Sequence, residues 1–243
     1  MSRPRAVVTG GAVRVGRAIA ERLAEAGYDL VLHYHSSGEA AGEAAERLHD
    51  LGATVELVRA DLVRPEEIGR PFEAAESRFG GLDLLVNSAA VFPRSDPLET
   101  TVDEWDRVFA LNARAAYFCA QEAARRMQGG AIVNIVDTGA DQAWPGYVPY
   151  VASKAALASV TRGLAAAFAP RIRVNAVAPG PVLLPEGGDG EAEREAVERL
   201  TALGRVGSPE DVAEAVLYLA RASYVTGEIL RVDGGQHLRP RGR

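Results

Sequence analysis

The sequence predicts a single-domain α/β fold: about seven parallel strands in one doubly wound sheet, with helices on both faces. Two observations carry this. Short apolar, β-branched runs recur along the chain: Ala6-Val7-Val8, Leu30-Val31-Leu32, Val55-Glu56-Leu57-Val58, Leu82 to Val86, Ala131 to Val136, Ile172 to Val177 and Glu228 to Val232. Between most of them lie stretches rich in Ala, Glu, Arg and Leu with helical spacing, such as Ile19, Leu23 and Ala26. Strands that alternate with helices imply right-handed βαβ crossovers. Near-continuous apolar strands imply burial on both faces. No linker or repeat divides the 243 residues, so 1–243 reads as one domain.

Bulk properties narrow the function. The net charge is −6 and 47% of residues are hydrophobic. An acidic chain offers no basic face for nucleic acid or an anionic membrane. No apolar run is long enough to span a bilayer. Cys119 is the sole cysteine, so no internal disulfide forms, and a cytoplasmic setting is expected. In its apolar helical stretch it reads as a core residue. No metal site is expected.

The first strand runs into Thr9-Gly10-Gly11-Ala12-Val13-Arg14-Val15-Gly16, and a helix follows. Glycines at such a turn let the backbone approach a pyrophosphate, while the helix N-terminus supplies free N–H groups. Gly10, Arg14, Val15 and Gly16 are therefore candidate cofactor residues. Arg14 stands where the central glycine of such turns is usual, and a guanidinium there can pair with a ribose 2′-phosphate. The second strand ends in Leu32-His33-Tyr34-His35-Ser36-Ser37. NAD sites tend to place an acid at this point. His33, Tyr34, Ser36 and Ser37 occupy it instead, which implies NADPH over NADH. The alternative makes Arg14 a solvated arginine at a helix start.

Farther on, two long Ala-rich helices are expected, about 103–127 and 150–168. In the second, Tyr150 and Lys154 are four residues apart and share one face. An unperturbed tyrosine pKa near 10 is high for proton transfer at neutral pH, and a neighbouring ammonium lowers it. Lys154 is the only lysine in the chain. Arginine is too wide and too basic to replace a compact ammonium there. The glycine-containing stretch 185–204 is a candidate lid, or a plain surface loop.

With Thr9 to Gly16, these residues carry a resemblance. The chain resembles the short-chain dehydrogenase/reductase family, a Rossmann-type fold, over essentially its whole length. Further matches are Asp61-Leu62, Asn87-Ser88-Ala89-Ala90, Asn112, Pro179-Gly180 and Asp233-Gly234-Gly235. The resemblance implies that Asp61 and Leu62 meet the adenine, and that Asn87, Ser88, Ala89, Pro179 and Gly180 line the cofactor. It implies that Asn112 holds a water in a relay with Lys154. It also implies a homotetramer.

The sequence departs from the family pattern. Where a serine normally stands 13 residues before the tyrosine, this chain has Asp137. Leu184 replaces a threonine. An ionised carboxylate cannot donate to a ketone oxygen, and its charge raises the pKa of Tyr150. Reduction of a ring C=N, whose nitrogen must take up a proton, is better served. Arg14, the segment 32–37, Asp137 and Leu184 resemble the pteridine reductase and dihydromonapterin reductase-like branch. There Phe92 would stack on a flat heterocycle. That resemblance implies Asp137, Tyr150, Lys154 and Asn112 as catalytic residues, with Phe92, Asp137 and Tyr150 on the substrate. Alternatives are a generic carbonyl or 3-oxoacyl reductase and a non-catalytic NADPH-sensing regulator. The basic tail 236–243, with Arg239, Arg241 and Arg243, either reaches a neighbouring subunit's site or stays unordered.

Overall fold

In the computed structural model, residues 3–183 and 190–238 are described. Seven strands form one sheet: β1 (Arg5–Thr9), β2 (Asp29–Tyr34), β3 (Val55–Arg59), β4 (Leu84–Asn87), β5 (Gly130–Ile135), β6 (Ile172–Pro179) and β7 (Ile229–Val232). Their order is β3-β2-β1-β4-β5-β6-β7, and every pair is parallel. The chain builds outward from β1 to β3, then returns to lay β4 on the other side of β1. That reversal opens a crevice at the carboxyl ends of β1 and β4.

Strand periodicity sends alternate residues to opposite layers. Ala6, Val8, Leu30 and Leu32 pack with Ile19 and Leu23 of α1 (Arg14–Glu25) and Val212 and Val216 of α8 (Pro209–Arg221). Val7, Val31 and Leu85 face the other way. They meet Phe72 of α3 (Arg70–Phe79), Cys119 of α5 (Ala116–Arg126) and Leu164 of α6 (Val148–Phe168). The remaining helices are α2 (Gly38–Asp50), α4 (Val102–Phe109) and α7 (Gly190–Leu200). Arg5 grips Asp83 through Nε and Nη2, at 2.8 and 2.9 Å, which ties the start of β1 to that of β4. This levels the strand ends: Thr9 lies beside Asn87, and Asn87 beside Asn134.

One expected helix is interrupted. Between α4 and α5 the chain makes a π-helical turn, Ala110–Ala115, around Asn112. Such wide turns place an extra residue on one face and gather at functional sites. The lid reading of 185–204 falls partly on 184–189, outside the described residues, as does Leu184. The rest is α7 and a turn pinned to the sheet end, where Leu203 N donates to Gly234 O at 3.0 Å. Residues 239–243 of the basic tail also lie outside the described residues.

Candidate active site

A cavity of about 950 Å³ runs along the carboxyl ends of the strands. Its first part is the turn after β1. Gly10 has φ of 64°, and a Cβ there would sit 2.9 Å from Ala89 Cα. A Cβ on Gly16 would fall 2.1 Å from Gly10 O. Both glycines are therefore required for the turn to close against α1 and β4. Thr9 Oγ1 accepts from Ser88 N and Ala89 N at 3.0 and 3.1 Å, which fixes the opposite wall. No side chain caps α1 at Val13. An uncapped helix start beside a glycine turn fits an anionic pyrophosphate.

Arg14 has φ of 53°, the only positive value among described non-glycine residues. That explains why glycine is usual there, since a side chain costs about 1–2 kcal/mol in this region. Arg14, Val15, Tyr34, Ser36 and Ser37 all line the cavity. His33 lines it too but is only 2% exposed. Its Nδ1 accepts from Gly10 N and its Nε2 meets Ala60 O, each at 3.1 Å. An N–H facing Nδ1 makes Nε2 the protonated nitrogen. Burial holds the ring pKa down to about 4. His33 thus has no free ring nitrogen for a ligand; it braces the glycine turn against the end of β3. At that end, Asp61 and Leu62 line the cavity, and Asp61 Oδ1 accepts from Val63 N at 3.0 Å.

The second part of the cavity holds Asp137, Tyr150 and Lys154. Asp137 follows β5, and its Oδ1 caps a short turn by accepting from Gly139 N at 2.6 Å. Tyr150 lies in the first turns of α6 and donates its hydroxyl to Asp137 Oδ2 at 2.7 Å. Lys154, one helical turn on, donates from Nζ to Ile135 O at 2.7 Å. All three pKa values move. Burial raises that of Asp137, against its bonds to Gly139 and Tyr150. Burial lowers that of Lys154 to about 8, against the charge of Asp137. Burial and then the Asp137 charge push Tyr150 well above its ordinary value.

Of the two opposed effects expected on Tyr150, lowering by the ammonium and raising by the Asp137 charge, the second holds in the protein alone. The phenol donates to a carboxylate 2.7 Å away, whereas Lys154 Nζ lies 5.8 Å from the ring centre and spends a proton on Ile135. Burial sets the direction first, and the nearer negative charge adds to it.

Asn87 and Asn112 are absent from the cavity wall. Asn87 Nδ2 donates to Ala116 O and Asn134 Oδ1, at 3.1 and 2.9 Å, behind β4. Asn112 Nδ2 donates to Val91 O and Ser153 Oγ, at 3.0 and 3.1 Å, while its Oδ1 accepts from Val91 N. Both amide protons are thus engaged, so the side chain has none for a water relay. The side chain ties the π turn to α6 and to the loop after β4. Pro179 and Gly180 lie on the wall, and a Cβ on Gly180 would meet Asp233 Cβ at 2.6 Å.

Phe92 stands over the catalytic end. Its ring meets the Tyr150 ring edge-on at 4.5 Å and stacks on Tyr147 at 4.5 Å. Trp144 and Gln236 also line the cavity, and neither was expected there. Gln236 begins the described end of the tail. The aromatic run Trp144-Pro145-Gly146-Tyr147 just before Tyr150 was a visible signal for Trp144. Cys119 is fully buried with its thiol pushed up to about 12, which makes it an inert core residue.

The chain is similar in sequence and fold to known proteins. A family model described as enoyl-(acyl carrier protein) reductase matches residues 11–237. The chain is 38% identical to the 3beta-hydroxysteroid dehydrogenase 1 of Eggerthella lenta, over 96% of this chain and 94% of that protein. It is 33% identical to a 3-oxoacyl-[acyl-carrier-protein] reductase of Staphylococcus aureus, over 96% and 98%. A solved mutant of a Serratia marcescens short-chain dehydrogenase/reductase superposes with a TM-score of 0.90 at 36% identity, covering 96% of this chain and 97% of that one. Fold, site and relatives agree that this chain belongs to the short-chain dehydrogenase/reductase family and is an oxidoreductase of that type.

Proposed function

We propose that the protein is an NADPH-dependent reductase of a pteridine-type ring C=N, in a dihydropterin or dihydrofolate. The observation that carries this is the 2.7 Å hydrogen bond from Tyr150 to Asp137 in a largely buried setting. With its proton committed to a carboxylate, Tyr150 is a poor donor to a ketone oxygen. The pair suits a ring nitrogen better. Asp137 accepts N–H bonds from an amino-substituted heterocycle, and the raised pKa of its carboxyl lets the couple hold a proton and pass it on. Phe92 offers a flat face beside Tyr150.

The cofactor assignment rests on chemistry at the other end of the cavity. Arg14, His35, Ser36 and Ser37 line it, and no acid stands at the end of β2 to bond a free 2′-hydroxyl. NADPH, when bound, supplies the hydride. Lys154 would hold a ribose hydroxyl, and Gly10, Val15 and Gly16 would admit the pyrophosphate. Self-association as a tetramer is supported by Trp105, Tyr117 and Phe118, apolar and partly exposed on α4 and α5. Light scattering tests it.

The similarity to 3-oxoacyl reductases favours a second reading, a carbonyl or 3-oxoacyl reductase. A substrate panel separates the two. Oxidation of NADPH by dihydrobiopterin, dihydromonapterin or dihydrofolate supports the pterin reading. No turnover of any pterin, with brisk turnover of a 3-oxoacyl thioester, overturns it.

A further inference from the structure

Beside the catalytic cavity lies a second, shallower groove of about 440 Å³. Phe92 and Trp144 line both spaces, so the groove opens directly from the site of reaction. Its walls are aromatic. Tyr147 stacks on Phe92 with an interplanar angle of 3°, and Trp144 meets both rings edge-on, at 6.4 and 6.2 Å. The rings therefore step outward from Tyr150 through Phe92 to Tyr147. At the edge stands Arg94, an exposed guanidinium that lines the groove and has no ion pair among the described residues. Asp96, two residues on, turns one carboxylate oxygen back to accept from Leu98 N at 2.9 Å. Ser95 N donates to Gly146 O at 2.8 Å, which fastens the two loops that form the walls.

We infer that this groove takes an aryl-carboxylate extension of the substrate, with the aryl ring against Phe92 and Trp144 and the carboxylate on Arg94. The inference rests on the pterin reading above and narrows it. Among pterins it favours one bearing an aminobenzoyl-glutamate tail, as dihydrofolate does, over one with a short hydroxyalkyl side chain, such as dihydrobiopterin. An aromatic wall suits the ring, and a guanidinium suits a carboxylate in two-point contact.

The test measures steady-state reduction of dihydrofolate and dihydrobiopterin by NADPH, in the wild-type chain and in Arg94→Gln. Removing one exposed cation from its ligand should raise the KM for dihydrofolate about fivefold with little change in kcat. The constants for dihydrobiopterin should stay put. Charge reversal in Arg94→Glu should widen the difference. If both pterins turn over and Arg94→Gln changes neither, or changes both alike, the groove assignment is wrong while the pterin reading stands. If the wild-type chain reduces neither pterin, the underlying reading fails and the groove assignment falls with it.

Discussion

Replacing Asp137 with Asn separates the two ways of using Tyr150. The side chains have nearly the same size, and the amide oxygen can still accept from Gly139 N. What changes is the partner of Tyr150. The amide NH2 would face the phenol oxygen, so the bond now 2.7 Å long would reverse its polarity. A hydrogen bond to a charged group contributes about 1.5–3 kcal/mol. Its loss, with that of the Asp137 charge, moves the Tyr150 pKa back toward its ordinary value. The phenol proton is then free to point at a substrate carbonyl. Losing a general acid–base couple costs about 100-fold or more in rate. Asp137→Asn should therefore lose at least that much kcat/KM for a dihydropterin, and Asp137→Ser should gain activity on a 3-oxoacyl thioester. Initial rates of NADPH oxidation measure both, with circular dichroism to check folding. Dihydropterin reduction by Asp137→Asn within about threefold of wild type would refute the argument that Asp137 shares the proton.

Arg14→Gly should erode the preference for NADPH over NADH by about tenfold to a hundredfold, the worth of a charge-assisted contact. It should not lower the melting temperature, because glycine relieves the φ of 53°. An unchanged ratio of kcat/KM values would count against the phosphate contact. His33 stays neutral in the fold down to about pH 4, while the unfolded chain binds a proton below about 6.5. Stability should therefore fall as pH drops from 6.5 to about 4, by about 3 kcal/mol, then level off. Urea unfolding should show this, and a similar slope in His33→Gln would contradict it. Lys154 is cationic only below about pH 8. Activity that needs the ammonium should decline as pH rises through about 8, and kcat/KM flat across that range would argue against it. Stability moves the opposite way. The unfolded lysine keeps its proton up to about 10.4, so the cost of the buried charge eases between about pH 8 and that value. The difference should vanish in Lys154→Met.

The sequence by itself determined the sheet, the single domain and the family. Apolar runs of strand length, such as Ala6-Val7-Val8, leave one choice when helices alternate with them, because each must be covered on both faces. The glycine turn and the Tyr150–Lys154 pair were equally legible, since local geometry dictates the residue types: no Cβ fits at Gly16, and one helical turn separates the pair. Asp137 was legible as a departure from the pattern. Tertiary structure decided what local spacing leaves open. His33 and Asn112 look like ligands in a linear reading, yet their side-chain polar atoms bond to Gly10, Ala60, Val91 and Ser153, which lie 23, 27, 21 and 41 residues away. The π turn at Asn112 carries no clear mark in its composition. The direction of the Tyr150 pKa also needed distances. Both a carboxylate and an ammonium were foreseen nearby, and only the fold shows the carboxylate in direct contact and the ammonium bonded elsewhere. Charge effects scale inversely with separation, which sequence spacing does not give once the chain folds back on itself.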